Sequence, residues 1–93
     1  MIYGDAYQRI YTAIAVAVYT AADGKNTRYD VNWEDVAAAV RAQADREDWA
    51  PHEWMAAGIM LGRVISGEMW FDAIKRGREY LRQIDDEAEA QST

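Results

Sequence analysis

The chain contains no cysteine, one proline, one histidine and one phenylalanine. Without cysteine it can form neither a disulfide nor a thiolate zinc site. That fits a reducing compartment, and the expected location is cytoplasmic. A long apolar run is also missing. The longest, residues 13–22 with Thr20 inside it, falls far short of the roughly 20 residues that span a bilayer. Residues 1–12 show no basic stretch leading into a long apolar one, so no signal peptide is expected. Positive charge is scarce as well: 10 Lys and Arg stand against 16 Asp and Glu, a formal net charge of −6. This disfavours nonspecific attraction to nucleic acid or anionic membranes. No internal repeat, low-complexity tract or linker divides the sequence, so residues 1–93 read as a single soluble domain.

What the chain has in quantity is alanine. Half of its residues are apolar, but 17 of them are alanines, which bury little area each. A domain of this size already has a thin stability margin, so a second copy or another protein could usefully cover leftover apolar surface.

Helical periodicity dominates, and the expected fold is all-α, a small bundle of about four helices near 6–22, 33–46, 50–66 and 68–88. Asp5 and Gln8 have capping-box spacing before Tyr7, Ile10, Tyr11, Ile14 and Val18, and Gly24 can close that helix in the left-handed conformation. The second half of this helix is apolar on all sides, as in a buried helix. A hairpin over residues 14–31 is the competing reading, which the alanine content disfavours. Asn32 caps the second helix, with Glu34 and Asp35 in its first turn. Pro51 suits the first turn of the third, and Gly67 ends it. Within it Gly58, Gly62 and Ser66 fall four apart, which predicts close approach of another helix and a central place for this one. The fourth repeats Trp70, Ile74, Gly77, Leu81, Ile84 and Ala88 in heptad spacing. There Asp72 with Arg76, and Arg82 with Asp86, are spaced to pair. Its acidic end opposes the helix dipole, so residues 87–93 should fray. The expected core is Ile10, Ile14, Val18, Val36, Val40, Trp54, Leu61, Val64, Ile65, Trp70, Ile74 and Leu81.

Candidate chemistry is sparse. His52-Glu53 begins the zinc-protease pattern H-E-x-x-H, but Ala56 stands where the second histidine belongs. Glu68 and Asp72 share a helical face without the further ligands a metal site needs. No nucleophile has a matching base, and no glycine-rich phosphate loop is present. The expectation is therefore no enzyme, no catalytic residue, no metal and no cofactor. The second and third helices could form a helix-turn-helix, yet the recognition helix would open with Trp49, Ala50, Pro51, His52 and Glu53, which read no base edges.

The aromatic balance is the most telling feature: four Trp and six Tyr against one Phe. Trp and Tyr combine an apolar body with a polar handle and are enriched at interfaces. Tyr3, Tyr7 and Tyr11 lie four apart, and Leu81 and Ile84 lie in the second half of the heptad seam. These five are the candidate protein interface, with core roofing as the plain alternative for the tyrosines.

In overall type the chain resembles the small host-modulating proteins that phages of high-GC actinobacteria make to bind and disable host proteins. Eight Arg against two Lys and the many alanines fit a gene of high GC content, but the likeness covers no specific residues and carries none over. The expected function, a protein-binding module acting as an inhibitor or adaptor on a helical or coiled-coil host protein, rests instead on the Trp and Tyr surplus and the heptad spacing of the fourth helix. The alternative is a regulator associated with nucleic acid, either a helix-turn-helix variant or an acidic mimic of DNA.

Overall fold

The computed structural model describes residues 5–24 and 28–91, with side chains described as far as Glu89. Four helices form it: α1 (Asp5–Ala22), α2 (Trp33–Glu47), α3 (Pro51–Ile65) and α4 (Trp70–Gln91), with a single 3-10 turn at Arg28–Asp30. No strand occurs among the described residues: α1 runs unbroken over residues 14–22, the first arm of the would-be hairpin, and Arg28–Asp30 in the second arm form the 3-10 turn.

The terminators act as their chemistry dictates. Asp23 and Gly24 both take positive φ at the end of α1, where glycine pays no steric penalty. The Asn32 side chain accepts from the backbone N–H groups of Glu34 and Asp35. Pro51 opens α3, and the Ala50 N–H donates to Glu53 Oε1 at 2.9 Å. Gly67, at φ +93°, reverses the chain into α4. This turn occupies residues 66–69, so α4 starts two residues later than periodicity predicts, and it runs further, to Gln91. At α1 the expected capping box does not close, because Gln8 Oε1 accepts from Arg76 at 2.8 Å instead.

The central helix is α1, not α3. It packs against all three others, whereas α2 rests chiefly on α1, and α3 meets α1 and α4. Its apolar girth explains this: Ile10, Ile14, Ala15, Ala17, Val18 and Ala22 are all buried. They are joined by Val36, Val40 and Ala44 from α2, Ala57 and Val64 from α3, Trp70 and Ala73 from α4, and Val31 and Trp49 from the connections. No polar or charged residue is buried among the described residues. Trp33 and Trp70 meet edge to face at 6.3 Å, as do Trp49 and Trp54 at 5.7 Å.

Two expected core residues, Trp54 and Ile65, are exposed. Leu61, Ile74 and Leu81 are half-buried. The predicted glycine ridge is also reversed in sense. A Cβ added at Gly58 or Gly62 would meet nothing within 4 Å, so none of the described helices crosses there. The close approach falls at Gly77 instead. A Cβ there would lie 2.4 Å from the Ala15 carbonyl oxygen and 2.7 Å from Tyr19 Cβ. The first half of the heptad seam therefore lies on α1. Beyond Leu81 the burial stops: every side chain from Arg82 to Glu89 is exposed. A helix lying on a neighbour buries every third or fourth residue, so this end of α4 stands clear of the bundle. Among the described residues no helix is long and apolar enough to cross a membrane.

Candidate protein-docking surfaces

Two concave surfaces flank α1. The first lies between α1, α3 and the start of α4 and has a volume of about 430 Å³. Helical spacing puts Tyr7 and Tyr11 on one wall, Ile59 and Met60 of α3 form the other, and Met69 lies at the turn. Arg63 and Arg76 supply its charge. Tyr11 donates its hydroxyl proton to Asp72 Oδ2. Burial, reinforced by the bond to Asp72 and by its negative charge, holds this hydroxyl well above the usual tyrosine range. The Arg76 guanidinium sits 5.2 Å from the Tyr11 ring centre and donates to Thr12 Oγ1 and Gln8 Oε1. Asp72 and Arg76 thus both turn to α1, rather than serving chiefly as a pair along α4. Tyr11 ties two helices together while its ring still lines the cleft.

The second surface, of about 490 Å³, is a groove between α1 and α2. Ala13, Val16, Ala17, Thr20 and Ala39 make a smooth floor, Tyr80 of α4 joins the lining, and Arg9, Gln43, Arg46 and Glu47 add the polar part. Glu47 is held below the usual carboxylate range, first by the Trp49 indole N–H donating at 3.0 Å and next by the Gln43 amide. Arg9 bridges Glu47 at 3.7 Å and Glu53 at 3.8 Å, linking α1 to the end of α2 and the start of α3.

Of the five candidate interface residues, Tyr7 and Tyr11 come together in the first cleft, each half-buried. Tyr3 lies outside the described residues. Leu81 is half-buried and Ile84 is exposed, both on the outer part of α4 and away from the tyrosines. His52 is an exposed residue of the first turn of α3, while Glu53 has a capping role. Glu68 lies in the turn before α4, off the helical face that would have paired it with Asp72. No cluster of three or more metal-ligating side chains occurs among the described residues.

The surface that periodicity does not anticipate is the outer face of α3. Met55 is 70% exposed, Ile59 61%, Ile65 42% and Trp54 40%. Its signal in the sequence is the glycine ridge itself, which marks a place for a close neighbour without saying whether the neighbour belongs to the same chain. Comparison with protein families, with curated proteins and with solved structures finds nothing that matches this chain.

Proposed function

We propose that the chain is a small protein-binding module, an inhibitor or adaptor of the phage-encoded, host-modulating kind, acting in the cytoplasm without catalysis. The observation that carries this reading is the apolar cleft of about 430 Å³, walled by Tyr7 and Tyr11 and opening beside exposed Ile59. Clefts lined by aromatic and apolar side chains with a few placed charges are where binding energy concentrates. A helix from a host protein, laying apolar residues into the cleft and a carboxylate beside Arg63, suits its chemistry.

Nucleic acid suits it less. The face of α3 that a helix-turn-helix would place in a major groove is apolar, and base edges are read by polar side chains. The carboxylates of α4 form a run only at its end, Asp85, Asp86, Glu87 and Glu89, while upstream Arg78 and Arg82 flank Glu79, so the acidic run covers little more than one turn, short of the extended rows that would mimic a phosphate backbone.

The test is capture from host lysate on immobilised protein, comparing the wild type with Tyr7→Ala, each confirmed folded by circular dichroism. Truncating a true hot spot should cost about 2 kcal/mol of binding, roughly thirtyfold in affinity. Equal retention by both proteins, or no specific protein retained, refutes the reading.

A further inference from the structure

The outer face of α3 has a composition that none of the other helices shares. At about 100° per residue, Met55, Ile59, Gly62 and Ser66 fall in one stripe. Gly58 and Pro51 adjoin it, and Trp54 and Ile65 lie together along one edge. All of these side chains are exposed, and the glycines open onto free space. The face carries no carboxylate, since Glu53 is turned away to the Ala50 N–H and Arg9.

We propose that this face joins two copies of the chain, with the α3 helices antiparallel about a two-fold axis between Gly58 and Ile59. Four observations lead to a second copy rather than another occupant. The first is register. A two-fold that sets Met55 over Gly62 of the second copy also sets Ile59 beside Gly58 and Pro51 opposite Ser66. Met55 and Pro51 thus meet small residues, while the two Ile59 side chains meet each other beside the axis, as an isologous contact allows. The second is the edge, where the same register brings Trp54 within a turn of Ile65 of the second copy. All four large exposed apolar residues of α3 then find cover. The third is charge. Two molecules of formal charge −6 repel through acidic faces, and a face without carboxylates is where identical copies can meet. The fourth is area. The exposed parts of Trp54, Met55, Ile59 and Ile65 alone come to roughly 400 Å² per copy, and exposed Pro51, His52, Gly58, Gly62 and Ser66 adjoin them. A two-fold pair covering this stripe buries on the order of 1,000 Å², near the lower end of specific interfaces.

This contact does not rest on the host-protein reading, but it takes up Ile59 and lies beside Arg63, which also line the cleft, so a second copy and a host helix would compete for that edge. Sedimentation velocity over a concentration series should show the wild type moving from 10.6 kDa to twice that mass. Met55→Glu combined with Ile59→Glu should stay monomeric throughout with an unchanged helical spectrum, as both side chains are exposed. Because the chain has no cysteine of its own, single cysteines report the register. Ile59→Cys lies beside the axis and should be joined to its mate by a short bis-maleimide. The two copies of Ile65→Cys lie roughly 20 Å apart along the helices, at 1.5 Å per residue, and should not be. A wild type that remains monomeric at millimolar concentration overturns the proposal. So does a dimer indifferent to the two glutamates, or cross-linking through Ile65→Cys as ready as through Ile59→Cys.

Discussion

Replacing Gly77 with alanine tests the packing of the bundle at its tightest point. The new methyl would sit 2.4 Å from the Ala15 carbonyl oxygen and 2.9 Å from its carbon, where ordinary contact begins near 3.4 Å. Neither atom can swing aside, because both belong to the backbone of the central helix. To recover normal contact, α4 must lift off α1 by about an ångström, loosening the layer that buries Ala15, Trp70 and Ala73. Overpacking of this kind costs about 1–3 kcal/mol, and a rigid backbone obstacle places Gly77→Ala at the upper end. Against this, alanine gains about 1 kcal/mol over glycine in helix propensity. The net loss is about 1–2 kcal/mol, or about 5–15 °C in melting temperature for a domain of this size. Gly62→Ala supplies the control. It gains the same propensity and meets nothing within 4 Å, so in dilute solution, where self-association is absent, it should raise the melting temperature. Thermal unfolding followed at 222 nm compares the two. If Gly77→Ala melts no lower than Gly62→Ala, the close approach of α4 to α1 is wrong.

Tyr11→Phe deletes the bond to Asp72 that joins two helices 61 residues apart, and should cost about 0.5–1.5 kcal/mol in urea unfolding; a neutral result would mean that water replaces the contact without loss. The depressed Glu47 carboxyl stabilises the fold fully above the ordinary glutamate range and loses that contribution as pH falls through its folded value. Glu47→Gln should therefore lower stability at pH 7 and flatten the fall toward pH 3, and parallel pH profiles for the two proteins would contradict this. Deleting residues 87–93 should change stability by no more than about 0.5 kcal/mol, since the described side chains there are exposed; a larger loss would show that this end docks. Leu81→Ser with Ile84→Ser should unfold the bundle only as far as half-buried Leu81 matters, so Ile84→Ser alone should leave the melting temperature unchanged.

The local grammar of this chain was legible because its causes are local. Asn32, Pro51, Gly24 and Gly67 punctuate the helices by the conformations and hydrogen bonds each allows, and heptad spacing from Trp70 to Leu81 found its buried partner. Choosing which helix sits in the middle depends on what packs on what, and there the glycine ridge of α3 misled. A small-residue ridge reports a close neighbour, and the internal neighbour lay at Gly77. Each alanine buries little area, yet Ala15, Ala17 and Ala73 all sit in the core, and it is the Ala15 backbone that Gly77 approaches. At the candidate cleft, the four-residue spacing rightly put Tyr7 and Tyr11 side by side. Nothing in the spacing of Tyr11 and Asp72 could have announced their bond, because a contact across 61 residues exists only once α4 has crossed α1.

That α1 is the hub has a consequence for how the protein is made. The helix everything else leans on is synthesised first, and the helix that covers it through Gly77 comes last. At about 5–20 residues per second, the 55 residues from Ala22 to Gly77 take several seconds to emerge. For that interval an apolar helix waits on the ribosome without its main cover, open to chaperones and to mispairing with other nascent chains. Its closing contacts span most of the sequence, which slows folding relative to bundles built from neighbours. A chain truncated after α3 would keep 13 of the 15 buried core residues and still lose the helix that approaches α1 most closely.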